Sequence, residues 1–221
     1  MKIFCFSGLG ADWRVFDNLK LDDELIHLPW LDYSSKKSLK EYAEEYIPLL
    51  PQNEKFALLG VSFGAAMAVE ISQMAKPEFT ILISNIEKSD EMPFLYSWLA
   101  KSKIIHLIPA SIFIPPFAMA KYFFRPKDQE LLKQIIKDSD PKFNKWALMM
   151  LLNWDNKKGL NRVLKIHGAE DKLFPLPNDP NIKVIIDAGH FMVHDCGIEV
   201  SQIINDKPLL RCLKCFSFSP A

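Results

Sequence analysis

The sequence predicts an α/β fold: a mostly parallel sheet flanked by helices, with a helical cap inserted into it. Three observations lead there. Short apolar runs alternate with stretches whose apolar residues recur at helical spacing. A serine bracketed by glycines, in Gly60-Val61-Ser62-Phe63-Gly64, stands between one apolar run and the next helix-like stretch. The alternation then stops over residues 89–159 and resumes afterwards.

Residues 3–6 are the first expected strand, and residues 24–28 the second, ended by Pro29-Trp30. Within 38–50, Leu39, Tyr42, Ala43, Tyr46 and Leu49-Leu50 recur at helical spacing. Pro51 ends that helix, because proline has no N–H to donate and its ring crowds the preceding turn. Residues 56–61 read as a buried strand, 65–74 as a helix of small and apolar residues, and 79–84 as the next strand. After the break, 163–167 and 183–186 resume the strand pattern and 198–204 form a closing helix. The expected division is a core of 1–88 and 160–207, a cap or lid of 89–159, and a tail of 208–221 with no periodic pattern.

A chain of 221 residues, 49% of them hydrophobic, is long enough for one sizeable core. Its 27 basic and 27 acidic residues balance, so nothing asks for nucleic acid as a partner. The apolar run at the N-terminus is too short for a secretory signal, so a cytoplasmic location with reduced thiols is expected. Of the four cysteines, Cys5, Cys196, Cys212 and Cys215, only the last two are closely spaced. One C-x-x-C falls short of the roughly four ligands of a zinc site, so neither metal nor cofactor is expected. Residues 104–124 are strongly apolar but contain His106, Pro109, Pro115, Pro116 and Lys121. Adjacent prolines break a continuous helix, which argues against a membrane span. A lid over an apolar pocket fits better, with Trp98, Phe113, Phe117 and Phe123 shaping the pocket. A stretch resting on lipid is the alternative, although basic residues within 104–124 are sparse.

The chemistry starts at Ser62. A serine on a sharp strand-to-helix turn is held out above the sheet at a helix N-terminus, where the helix dipole favours developing negative charge. Glycines on either side leave room for the strained backbone. A serine nucleophile needs a base, and the base needs a carboxylate to orient it. Asp171 follows the strand 163–167, and His190 follows the strand 183–186, so both belong to loops at strand C-terminal ends. Glu170, Asp187 and Asp195 are rival carboxylates, and solvated loop positions account for them. His194 is the rival histidine, with His27, His106 and His167 placed less suitably. The His190–His194 spacing lacks the glutamate of the zinc-protease motif, so a metal is not expected. The oxyanion requires two main-chain N–H groups. Phe63, next to the nucleophile, is one, and Leu9 in the Ser7-Gly8-Leu9-Gly10 loop after the first strand is the other.

Together these motifs resemble the α/β-hydrolase superfamily over about 1–84 and 163–204. Ser-Gly-Leu-Gly, Gly-Val-Ser-Phe-Gly, and His-Gly-Ala-Glu-Asp followed by Gly-His carry the likeness. The resemblance implies Ser62 as nucleophile, Asp171 as acid and His190 as base, with the insertion as the family's cap. Ser7 stands where members often have a histidine before the oxyanion loop. The chain begins at what would be an inner strand, so a compact version of the fold is expected. Serine at the elbow argues against subgroups with aspartate there, such as haloalkane dehalogenases and epoxide hydrolases. The implied activity is hydrolysis of a small, apolar carboxylic ester or thioester through an acyl-enzyme. Acyl transfer on the same triad, or non-catalytic binding of an apolar ligand, are the alternatives.

Overall fold

The computed structural model describes residues 1–33, 38–102 and 104–206. Six strands, β1 (Lys2–Phe6), β2 (Glu24–His27), β3 (Phe56–Val61), β4 (Thr80–Ile83), β5 (Val163–Gly168) and β6 (Lys183–Ile185), form one sheet in the order β2-β1-β3-β4-β5-β6. Every neighbouring pair is parallel. The chain moves outward from β1 to β2, then crosses back to β3 and continues the other way. The strand order therefore reverses between β1 and β3, and the crevice at their carboxyl ends is where open α/β sheets place ligands.

Side chains along a strand point alternately to opposite faces, and here both faces are buried. Ile3, Cys5, Ala57, Leu59, Ile81 and Ile83 pack on one side, and Phe4, Phe6, Leu58 and Leu82 on the other. The first face is covered by Val200 and Ile204 of the last helix, α8 (Gly197–Asn205), together with Val15 and Phe16. The second is covered by α1 (Leu39–Glu44) and α2 (Phe63–Ala75), through Tyr42, Met67 and Ile71. Two covered faces explain why the strands read as nearly continuous apolar runs. All residues from Phe63 to Ser72 are buried, so α2 is enclosed on every side, and its small residues let it lie close to the sheet.

Two expected elements differ. The helix expected over 38–50 ends at Glu44, and Ile47–Leu49 is a 3-10 turn. Pro48 is the cause: it has no N–H to donate to the carbonyl of Glu44, so the α-helical ladder cannot continue. The helix expected over 65–74 starts earlier, at Phe63, directly after the serine.

Between β4 and β5 the chain is helical: α3 (Phe94–Ser102), 3-10 turns at Ile104–Leu107 and Ala110–Phe113, then α4 (Phe117–Phe124), α5 (Gln129–Asp138) and α6 (Pro141–Leu152). Asp128 and Asp140 cap α5 and α6 by accepting from the Leu131 and Lys142 N–H groups. Pro116 directly precedes α4, which splits 104–124 as the paired prolines suggest. Among the described residues no helix is long and apolar enough to cross a membrane. The two chain crossings between sheet and cap lie side by side. Ser89 N–H donates to the Asn156 carbonyl at 2.7 Å, and the Asn156 amide donates to the Glu87 carbonyl at 3.2 Å. A short helix, α7 (Met192–Asp195), precedes α8. Cys212 and Cys215, with the rest of the expected tail, lie outside the described residues.

Candidate active site

β3 ends at Val61 and α2 begins at Phe63, so Ser62 alone turns the chain from strand to helix. It does so at φ +53° and ψ −123°, a conformation that costs a residue with a side chain on the order of 1–3 kcal/mol. The flanking glycines make the turn possible. A Cβ on Gly60 would lie 2.2 Å from the Gly64 carbonyl oxygen, and one on Gly64 would lie 2.3 Å from that of Ser7. Hydrogen bonds then fix the strained residue. Its N–H donates to the Ile83 carbonyl at 3.0 Å, and its carbonyl accepts from the Ala65 N–H at 2.8 Å. Asn85, buried just beyond β4, donates its side-chain amide to the same carbonyl at 2.5 Å.

Asp171 sits in the loop after β5 and His190 in the loop after β6. Both side chains are buried. One Asp171 oxygen, Oδ1, accepts from the Leu173 and Phe174 main-chain N–H groups, each at 2.9 Å. The other, Oδ2, accepts from Nδ1 of His190 at 2.8 Å. An ionised carboxylate can only accept, so the proton of a neutral imidazole belongs on Nδ1 and Nε2 is left as the basic nitrogen. Burial pushes the Asp171 pKa upward. The charge of His190 and the hydrogen bonds from His190 and Phe174 outweigh it and hold the carboxyl below its ordinary value. The imidazole is also gripped by rings: Phe124 meets it edge-on at 5.5 Å and Phe174 stacks on it at 6.0 Å.

The rival residues stand apart from this pair, with one exception. Glu170 pairs with Arg125. Asp187 is exposed. Asp195 accepts from the Lys127 N–H at 2.6 Å. His194 meets the Asn18 amide at 3.2 Å, and His106 is exposed on the cap. His27 is half-buried, and burial lowers its pKa. His167 is closer to the chemistry than its strand position suggests. It is buried, its Nε2 lies 2.7 Å from the Phe174 carbonyl, and it is 3.7 Å from Oδ2 of Asp171. Burial lowers its pKa, which favours a neutral ring donating that hydrogen bond.

The loop after β1 completes the crevice. Ala11 N–H donates to the Gly8 carbonyl at 3.0 Å, closing a four-residue turn in which Gly10 has φ +72°. Positive φ favours glycine there. Ser7, fully buried, braces the turn by donating to the Ala11 carbonyl at 2.7 Å. From the cap, Ser139 donates to the Gly10 carbonyl, also at 2.7 Å. Among the described residues, the main-chain N–H groups of Leu9 and Phe63 are not used in hydrogen bonds. Leu9, Ser62, Phe63 and His190 all line one cavity of about 250 Å³. No hydrogen bond joins the Ser62 hydroxyl to the imidazole; such bonds are often long without substrate and tighten when it binds.

The fold that positions these residues has counterparts among solved structures. A lipase-esterase related protein from Clostridium acetobutylicum superposes with a TM-score of 0.69 at 15% identity, covering 93% of each chain. A thermophilic esterase gives 0.66 at 20% identity, covering 98% of this chain and 91% of its own. An epoxide hydrolase from Bacillus megaterium gives 0.62 at 12% identity, with 95% and 93% covered. The chain has the α/β-hydrolase fold. Its sequence matches no protein-family model and no curated protein.

Within this α/β-hydrolase fold, the helices between β4 and β5 roof the cavity. Of the four aromatic residues expected to shape it, Phe113 is among the lining residues. Trp98 is 52% exposed. Phe117 packs against the core cluster that contains Ile3, Cys5 and Leu59, with the Lys133 ammonium over its ring. Phe123 meets Tyr122 edge-on. Tyr96, Phe124, Leu148 and Phe174 line the cavity instead. The difference between Tyr96 and Trp98 is one of helix phase. Both sides of α3 are apolar, so the sequence carries no amphipathic signal to choose between them.

Proposed function

We propose that this protein is a serine hydrolase of small, apolar carboxylic esters or thioesters, acting through an acyl-enzyme on Ser62. The observation that carries the reading is the 2.8 Å hydrogen bond from Nδ1 of His190 to Asp171, beside the cavity that Ser62 lines. The fold alone does not choose the reaction, since an esterase and an epoxide hydrolase share it. The serine at the elbow favours acyl chemistry.

In this mechanism Ser62 Oγ attacks the substrate carbonyl carbon while Nε2 of His190 takes the hydroxyl proton. Asp171 holds the ring in the needed tautomer and stabilises its charged form. Negative charge gathers on the former carbonyl oxygen, where the Leu9 and Phe63 N–H groups are free to receive it. The tetrahedral adduct collapses, and His190 gives the proton to the departing alcohol or thiol. Water then enters, loses a proton to His190 and attacks the acyl carbon, releasing the acid and restoring Ser62.

The cavity supports an uncharged substrate. Among the described residues, no Asp, Glu, Lys or Arg lines it, so a buried charge on the substrate would lack a partner. Turnover of 4-nitrophenyl esters tests the proposal. Ser62→Ala should lower kcat/KM by at least about 10⁴-fold, with the circular dichroism spectrum preserved. Undiminished turnover by Ser62→Ala would overturn the mechanism.

A further inference from the structure

The part of the cap from α3 to α4 exposes many apolar side chains and a few lysines that the hydrolase reading leaves unused. Among the described residues fifteen large hydrophobic side chains are exposed, and eight of them fall between Phe94 and Tyr122. The most open are Phe94 at 85%, Leu107 at 84%, Ile112 at 65% and Leu95 at 62%, with Tyr122 and Trp98 also more than half exposed. Ordinary surfaces scatter such residues singly, and a concentration of them marks an interaction site. The turns that carry Leu107 and Ile112 are tied to α6: Lys145 donates to the His106 carbonyl at 3.1 Å and to that of Ile108 at 2.8 Å, and the Asn144 amide donates to the Phe113 carbonyl at 3.2 Å.

Charge is segregated in the same stretch. The whole chain is balanced, yet residues 92–127 contain Lys101, Lys103, Lys121, Arg125 and Lys127 and no Asp or Glu. Arg125 is paired with Glu170, while Lys101 and Lys121 are exposed on the same helices, α3 and α4, that expose Trp98 and Tyr122. A second copy of the chain would set these like charges against each other across a two-fold interface, which is unfavourable. An anionic bilayer surface suits both features. Tryptophan and tyrosine favour the headgroup region, large aliphatic side chains reach the acyl boundary, and lysines meet the lipid phosphates.

We propose that the outer face of the cap, centred on α3 and the two turns after it, docks this protein on anionic lipid surfaces. The association is peripheral. The same pieces of chain supply Tyr96 and Phe113 to the cavity, so the docked face forms the outside of the cavity's roof.

Flotation with vesicles tests this without reference to catalysis, so its outcome is separate from that of the hydrolase proposal. The full chain should float with phosphatidylcholine vesicles containing phosphatidylglycerol. It should float less with phosphatidylcholine alone, and less at high salt. Trp98→Glu combined with Leu107→Glu should weaken partitioning by about tenfold or more. Lys101→Glu with Lys121→Glu should abolish the preference for the anionic lipid. All four side chains are exposed, and unchanged circular dichroism would confirm that folding is kept. Failure of the wild-type chain to float with anionic vesicles at low salt would overturn the proposal. So would a stable dimer by light scattering that Trp98→Glu and Leu107→Glu dissociate.

Discussion

Ser62 stands at φ +53° between a strand and a helix, where any side chain is strained by on the order of 1–3 kcal/mol. Glycine would relieve that strain and lose about 0.5–1 kcal/mol through its greater chain freedom when unfolded. Ser62→Gly should therefore leave the melting temperature unchanged or raise it, while removing the proposed nucleophile. A clear fall in Tm would show that the hydroxyl, rather than catalysis, justifies the strain. Asp171 makes a pH-dependent contribution. Its folded pKa lies below its ordinary value, so the stability it contributes is present above about pH 4 and is lost as pH falls through the folded pKa. Asp171→Asn should flatten the acid side of a stability profile measured by urea unfolding. It should also lower kcat at neutral pH by about 10³–10⁴-fold, because an amide cannot hold Nδ1–H in the same way. An unchanged kcat would remove Asp171 from the mechanism. The motif residues were legible because each belongs to a local pattern: glycine, serine and glycine at a strand end, and Gly-His after a strand. His167 was not, since its contact with the Asp171 loop depends on how residues 168–174 fold back, and nothing in the local sequence encodes that.

At the scale of elements, the join between β1, β3 and α2 is the tightest part of the molecule. The N-terminus of α2 lies so near the end of β1 that a Gly64 methyl would sit 2.3 Å from the Ser7 carbonyl oxygen and 2.4 Å from that of Phe6. Both are backbone atoms in buried elements and cannot step aside. Gly64→Ala should therefore destabilise the protein by about 3 kcal/mol or more, or prevent folding. Soluble, normally stable Gly64→Ala protein by chemical denaturation would contradict this packing. The strands were readable because both faces of the sheet are buried, leaving short apolar runs bounded by breakers. The helix over 38–50 was overextended because its apolar spacing runs through Pro48, which interrupts the hydrogen-bond ladder without disturbing the pattern. In the cap, α3 and α4 are apolar on several sides, so their presence was readable and their orientation was not.

For the molecule as a whole, the sheet edge carries the proposed reactive groups, and the helices between β4 and β5 line much of the cavity. A cavity of about 250 Å³ holds roughly eight water-sized groups at about 30 Å³ each. Activity on 4-nitrophenyl esters should rise with acyl length through short and medium chains, then fall for chains of about twelve carbons or more. Equal kcat/KM for acetate and palmitate would mean that the acyl group does not enter this cavity. The cap also reaches the loop that carries Leu9, through the 2.7 Å bond from Ser139 to the Gly10 carbonyl, so the helices that line the cavity also brace the proposed oxyanion loop. Whether Ser62 is the activated nucleophile we propose is read out by reacting the purified protein with a fluorophosphonate and mapping the product by peptide mass spectrometry. One adduct is expected, on Ser62, absent in Ser62→Ala and strongly slowed in His190→Ala. A well-folded protein that forms no adduct, or forms one elsewhere, would contradict it.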